Sequence, residues 1–308
     1  MLAPWLDLPG LAGRLDGYCD VVGQDLAAHG TTSDARTIRD TAVAQPLLVA
    51  TSLVTFHAVF DGVDAGAVFD VVGGHSVGEL GAAAISGVLT EAQALDLVTV
   101  RGAAMARAAA ATPTGMSALL GGDPVEVLAR LAELGLTPAN VNGGGQVVAA
   151  GSLDALAALT AAPPARTRVI PLQVAGAFHT SYMEPAVAEL AARAATIDPA
   201  DPRIPFVMNA DGAVVTSGSK ALARLVAQVA NPVRWDLCQK SLTSLGVTGL
   251  LELAPAGVLT GLARRNLPGV EAVAVKMPDD LDAARDLVRR HGGARTTLTS
   301  PDLQEIPS

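Results

Sequence analysis

Residues 67–88 read AVFDVVGGHSVGELGAAAISGV. A short valine-rich run reaches two glycines, a serine follows, and an alanine-rich stretch begins at once. The run over 67–74 predicts a buried parallel strand, and the stretch from 77 predicts a helix. Ser76 therefore sits where the chain must pass from strand to helix within a few residues. Gly74-His75-Ser76-Val77-Gly78 fits G-x-S-x-G, in which a tight turn forces the serine into a strained backbone conformation and flanking glycines keep side chains clear of neighbouring backbone. Such a bend exposes the hydroxyl at a helix N-terminus, where the Val77 amide can donate to a developing oxyanion. In a glycine-rich chain the same five residues also fit a purely structural turn.

Around this unit, strand and helix patterns alternate, which predicts an α/β fold with a parallel sheet. Residues 41–60, TAVAQPLLVATSLVTFHAVF, read as a buried helix. A second helix is predicted over 91–110, and further core strands at IPFVMNA (204–210) and GLLELA (249–254). Between 113 and 178 the rhythm changes to strand, helix, two strands, helix, strand. That β-α-β-β-α-β order is ferredoxin-like. The sequence thus predicts a core from 1–112 and 179–290, an inserted subdomain at 113–178, and a flexible tail at 291–308, where turn formers replace periodicity.

Of the 308 residues, 50% are apolar and 17% charged, which excludes a disordered chain. The net charge of −9 argues against general nucleic-acid binding, which needs a basic footprint. Cys19 and Cys238 are too few and too far apart for a zinc cluster or a disulfide framework, so reduced thiols in the cytoplasm are expected. The start, MLAPWLDLPG, lacks the basic region of a signal peptide, and no run of about 18 uninterrupted apolar residues predicts a membrane span.

A serine nucleophile needs a base. Of the five histidines, His75 adjoins Ser76 on a tight turn and should point away from it; His29, His57 and His291 fall in a loop, a buried helix and the tail. His179, in VAGAFHTSYMEP, precedes a helix whose start is marked by Ser181 and Glu184, a capping-box pair. A helix N-terminus biases an imidazole toward its neutral form, as a general base requires; a packed loop histidine fits the same position. No carboxylate stands out as a third member, so a Ser–His dyad with a backbone carbonyl behind the imidazole is expected. Arg101 lies on the mostly apolar second helix. It is either a surface residue with a packed stem or a buried guanidinium offering its planar fork to a carboxylate.

Together GHSVGELGAAAISGVLT, VRGAAM, GMSALLGG, NGGGQVVAAG, GAFHTSYMEP, NPVRW and LELAPAGVLTGLARR resemble, in order and spacing, the malonyl-CoA:acyl carrier protein transacylases of type II fatty-acid synthesis, over roughly residues 1 to 285. The resemblance implies an α/β-hydrolase-like core with a ferredoxin-like insertion. Its substrates would be malonyl-CoA and an acyl carrier protein, with no cofactor beyond the coenzyme A thioester that is itself a substrate. Residue by residue it implies Ser76 as nucleophile, His179 as base, Arg101 as partner of the malonyl carboxylate and the Val77 amide as an oxyanion donor. It further implies that Gln45 lines the pocket, that Asn142 meets the pantetheine arm, that Phe178 favours malonyl over methylmalonyl, and that the main-chain carbonyl of Arg234 orients the histidine. Arg264 and Arg265 are candidate contacts for an acidic carrier; they also fit a solvated helix face.

That family opens with a short strand and a G-Q-G motif whose glutamine supplies a second oxyanion donor. Residues 1–10 carry neither. A chain short of one such donor is expected to lose about 10²–10³ in rate. The elbow is shared with esterases, so a serine hydrolase is the rival enzyme class; the missing acid and Arg101 separate the two. A carrier-binding protein with little turnover is the rival outside catalysis.

Overall fold

The apolar stretch at 41–60 folds into a single helix, Thr41–Phe60, and the core is built around it. The computed structural model describes residues 1–60 and 62–292. Val49, Ala50, Leu53 and Val54 are fully buried; each such Val or Leu side chain contributes about 1.5–3 kcal/mol. The helix runs through Pro46 but lacks one ladder bond there, because Pro46 has no N–H for the Ala42 carbonyl. The Gln24 side-chain amide donates to that carbonyl instead, at 3.2 Å. By length and composition this helix is able to cross a bilayer, but 72% of its apolar window is buried inside the protein.

The Glu91–Ala111 helix packs along it, opened by a capping box between Thr90 and Gln93. At its first residue, Glu91 accepts from Tyr18 Oη and bonds His57 Nε2, both at 2.6 Å, so one carboxylate ties the Leu11–Val22, Thr41–Phe60 and Glu91–Ala111 helices together. This tie fixes the two helices that carry Gln45 and Arg101.

The parallel pairing is slight. Strand β1 (Val72–Gly73) runs parallel to β6 (Phe206–Val207), which pairs antiparallel with β7 (Val214–Val215). Strands β8 (Gly249–Glu252) and β9 (Glu271–Ala274) form a separate parallel pair. The strand expected over 67–74 is therefore cut short. Asp64 accepts from the Gly66 amide and caps a short Ala65–Val68 helix, leaving only Val72 and Gly73 in the sheet. The strand at 204–210 is likewise short, because Met208 exchanges bonds with Ala213 and Gly212 in a turn.

The insertion follows the expected order element for element. Strands β2 (Thr114–Gly121), β3 (Thr137–Gly143), β4 (Gln146–Ser152) and β5 (Thr167–Pro171) form an antiparallel sheet ordered β3-β4-β2-β5. Helices Pro124–Glu133 and Leu153–Ala161 bury Val127, Leu131, Leu156 and Leu159 against Leu119 and Ala149 of the sheet. Its β3 edge docks on the core: Val141 N–H donates to the Val233 carbonyl and Val233 N–H to the Ala139 carbonyl, each at 2.9 Å. Helix Leu281–His291 closes the described chain, so His291 ends a helix. The rest of the expected tail, from 293, lies outside the described residues.

Candidate active site

Ser76 has φ +52°, a conformation that costs a non-glycine residue about 1–3 kcal/mol unless its surroundings impose it. Here Asn209 imposes it. Its Oδ1 accepts from Ser76 N–H at 2.7 Å, and its Nδ2 donates to the Gly74 carbonyl at 2.7 Å. Helix Gly78–Ser86 begins immediately after. The Val77 N–H, next to the serine, makes no hydrogen bond among the described residues.

The two flanking glycines are not equivalent. A Cβ on Gly74 would lie 2.1 Å from the Gly78 carbonyl carbon and 2.5 Å from Glu79 N, whereas one on Gly78 meets nothing within 4 Å. The expectation that both are required is thus corrected: only Gly74 is sterically obligatory. Gly74→Ala is expected to lower the unfolding temperature markedly. Gly78→Ala should leave it unchanged or raise it, since alanine in a helix is favoured over glycine by up to about 1 kcal/mol. Calorimetry of the two variants checks this, and equal losses would contradict it.

His179 also has positive φ, +62°. Its Nε2 lies 2.6 Å from Ser76 Oγ, and its Nδ1 lies 2.9 Å from the Gln228 carbonyl. A carbonyl only accepts, so Nδ1 carries the proton and Nε2 presents a lone pair to the hydroxyl. The orienting carbonyl is therefore that of Gln228, not Arg234. The Arg234 carbonyl accepts from Leu237 and Cys238 at the start of the Trp235–Ser244 helix, and its guanidinium pairs with Asp236. The 3-10 turn Gln228–Ala230, just before the NPVRW motif, faces the imidazole instead. The capping box at Ser181 and Glu184 does not form either. Thr180 caps a 3-10 turn, Ser181–Met183, ahead of the Glu184–Ala194 helix. Burial and the nearby Arg101 charge, against the pull of the Gln228 carbonyl, press the imidazole down to about 3, so it is neutral at physiological pH.

Arg101 is buried, 2% exposed. One Nη donates to Gln45 Oε1 at 2.5 Å, the other to Gln228 Oε1 at 2.8 Å and toward Ser76 Oγ at 3.4 Å. Both strong partners are neutral amide oxygens, and no carboxylate pairs with Arg101 among the described residues. Burial lowers the guanidinium to about 10, with Glu79 opposing, which leaves it charged at neutral pH. Of the two readings of Arg101 from the sequence, the surface one is thereby set aside.

Asn142 sits on the seam between insertion and core. Its Oδ1 bonds His75 Nε2 at 2.9 Å, and its carbonyl accepts from Gln239 and Asn266 side chains. His75 also packs against Trp235 in a T-shaped arrangement, ring centroids 5.6 Å apart. Phe178 is half-buried and packs against both the main core and the insertion's inner face. Arg264 and Arg265 are exposed, Arg265 donating to Gln146 of β4 at 2.7 Å.

Three site residues escaped the sequence reading: Glu79, Asn209 and the Gln228 side chain. Each is a polar residue in an apolar run, GELGAAAIS, PFVMNA and LVAQVA, and that placement is the signal that a buried hydrogen-bond role leaves in a sequence.

The family model described as an acyl transferase domain matches residues 22–297. The chain is 50% identical over 292 residues to the malonyl CoA-acyl carrier protein transacylase of Mycobacterium tuberculosis H37Rv, covering 93% of this chain and 95% of that one. It superposes on the crystal structure of MCAT from Mycobacterium tuberculosis with a TM-score of 0.87 at 50% identity, over 92% of this chain and 94% of that one. It also superposes, with a TM-score of 0.85 at 32% identity over 93% and 94% of the two chains, on a malonyl-transacylase solved in complex with its type II PKS acyl-carrier protein. With a strained serine on a strand-to-helix bend, an imidazole at its hydroxyl and half its aligned residues shared with a mycobacterial relative, this chain belongs to the malonyl CoA-acyl carrier protein transacylase family of acyl transferases.

Proposed function

We propose that this protein moves a malonyl group from coenzyme A to the pantetheine thiol of an acyl carrier protein, through a malonyl-serine intermediate. The observation that carries this reading is the buried guanidinium of Arg101, with no carboxylate partner among the described residues and an Nη 3.4 Å from Ser76 Oγ. A substrate that ends in a carboxylate supplies the missing charge.

His179 Nε2 takes the Ser76 hydroxyl proton as Oγ attacks the thioester carbon. The oxyanion that forms lies beside the Val77 N–H and the N-terminus of helix Gly78–Ser86. Its collapse breaks the carbon–sulfur bond, and His179 returns the proton to the departing coenzyme A thiolate. In the second half the carrier's thiol gives its proton to His179, sulfur attacks the malonyl-serine carbonyl, and Ser76 leaves, regaining the proton. The Gln228 carbonyl holds the imidazole through both halves. Gln45 helps to aim Arg101, and Phe178 walls the pocket at the seam where Asn142 faces the pantetheine arm. Carrier docking is assigned to the exposed Arg264 and Arg265 beside β4, which suit an acidic partner. Two free thiols fit a reducing cytoplasm.

Transfer against hydrolysis decides the reading. Incubation with malonyl-CoA should acylate the enzyme, and added holo carrier protein should collect the group; release as free malonate at the same rate with and without carrier would replace the transferase by a hydrolase. The pH dependence of the first half is a further check. An ordinary imidazole fades below about 6.5. With His179 pressed to about 3, enzyme acylation should hold nearly constant from neutral pH down through the ordinary histidine range. Arg101→Met, which removes one of the charges that press it down, should move the acid limb upward. Rapid-quench acylation rates across pH measure both, and a limb at the ordinary histidine value in the wild type would contradict the buried, neutral base.

A further inference from the structure

Behind the Ser76–His179 pair lies a carboxylate that the transfer steps above do not use. Glu79 is 1% exposed, in the first turn of the helix that follows Ser76. Its Oε1 accepts from Asn209 N–H at 2.5 Å, and its Oε2 accepts from Gln228 Nε2. The same Nε2 faces two more acceptors, the Ser76 carbonyl at 3.1 Å and Asn209 Oδ1 at 3.3 Å. The other end of that amide, Gln228 Oε1, accepts from Arg101. The hydrogen bonds therefore run in one direction. Arg101 has only donors, so it needs the amide oxygen; both Glu79 oxygens face N–H donors, the Asn209 backbone and Gln228 Nε2, so Glu79 stands as the acceptor at the far end of the chain.

We propose that Glu79 is a positioning residue for malonyl selectivity: by accepting from Gln228 it locks the Gln228 amide oxygen onto Arg101 and aims the guanidinium at the acyl group on Ser76. The inference rests on the proposed transferase reading and concerns substrate choice, not the bond-making steps. It also accounts for a buried carboxyl group one turn from the nucleophile. Glu79 reaches Arg101 only through the intervening Gln228 amide, so no protein carboxylate occupies the place the substrate's carboxylate would take. Burial raises the Glu79 carboxyl above the ordinary range, against the Asn209 and Gln228 donors and the Arg101 charge.

Glu79→Gln tests the direction of the chain. The new amide must turn its oxygen to the Asn209 backbone N–H, which cannot rotate, and so presents NH2 to Gln228. Two NH2 groups repel; Gln228 turns over, and its own NH2 then faces Arg101. Glu79→Met offers no donor, so Gln228 keeps its orientation through Ser76 and Asn209, although Asn209 N–H loses a partner. With malonyl-CoA and acetyl-CoA compared on the full chain, Glu79→Gln should lower the malonyl-to-acetyl ratio of kcat/KM by about tenfold or more, mainly through KM for malonyl-CoA. Glu79→Met should lower that ratio less, while losing more thermal stability. A purely structural glutamate gives the reverse order, and an unmoved ratio in Glu79→Gln, ratios that follow stability alone, or failure of Glu79→Gln to fold would each overturn the proposal. Absence of malonyl transfer by the wild type would instead sink the function itself; wild-type transfer with an unmoved ratio sinks only this inference.

Discussion

The Ser76→Ala variant is expected to take up no acyl group from malonyl-CoA while folding as the wild type does. Acylation falls because the attacking hydroxyl is gone; His179 keeps its Nε2 lone pair but loses the group it activates, and Arg101 is a bound cation. The rate loss should reach about 10⁴-fold or more, the scale on which removal of a nucleophile is felt when the rest of the constellation stays in place. The fold is spared because the bend is held by main-chain groups that alanine retains. Ser76 N–H still meets Asn209 Oδ1, and the Ser76 carbonyl still accepts from the Glu79 amide. Intact-mass measurement after incubation with malonyl-CoA, followed by mapping of the peptide that contains residue 76, is the check. A malonyl group that persists on that peptide, or acylation of the intact variant at the wild-type rate, would remove Ser76 from its role. The His179→Ala variant gives a useful contrast: it should still acylate, slowly, because the hydroxyl and the Val77 amide remain.

The bend itself was legible because strain, small residues and a change of period coincide within a few positions, and few arrangements satisfy all three. The insertion was legible for a similar reason: each of its helices and strands is long enough to show its own period, and the observed order β3-β4-β2-β5 follows from the element sequence. The core strands were not legible in length. Val72–Gly73 and Phe206–Val207 are two residues each, and apolar runs around them continue into a capped helix and a turn. Hydrophobicity reports burial there, not extension. The misplacement of the orienting carbonyl at Arg234 has a different origin. Any residue can offer a main-chain carbonyl, so side-chain identity carries no trace of it, and the motif NPVRW marks the neighbourhood only. Gln228 lies six residues earlier and supplies both the carbonyl to His179 and the amide to Arg101. Arg101 illustrates the limit from the other side. An arginine on an apolar helix fits a packed surface stem equally well, and only the tertiary arrangement, with Gln45 from one helix and Gln228 from a distant turn, decides for burial.

Arg101→Ala is expected to collapse the preference for malonyl over acetyl rather than to stop transfer. In the wild type the guanidinium is buried and satisfied by two neutral oxygens; a malonyl carboxylate adds the opposite charge, whereas an acetyl methyl group adds nothing and leaves the cation desolvated. Breaking such a buried pair by removing one partner costs about 3–5 kcal/mol, or about 10²–10⁴ in kcat/KM for malonyl-CoA. Acetyl-CoA makes no use of the guanidinium, so its kcat/KM should change by less than about tenfold, and loss of the unpaired charge works in its favour. The variant also leaves Gln45 Oε1 and Gln228 Oε1 without their donor, at about 1–3 kcal/mol for each buried acceptor that water does not reach, so a lower unfolding temperature is expected as well. Arg101→Lys separates charge from shape. It keeps the positive charge but loses the planar fork, and should retain part of the malonyl preference with a raised KM. The decisive quantity is the ratio of kcat/KM for the two thioesters, measured in wild type, alanine and lysine forms at matched folded fractions. Equal losses for malonyl-CoA and acetyl-CoA in Arg101→Ala would mean that the guanidinium serves the fold or the nucleophile, and the carboxylate-recognition reading of this pocket would fall with it.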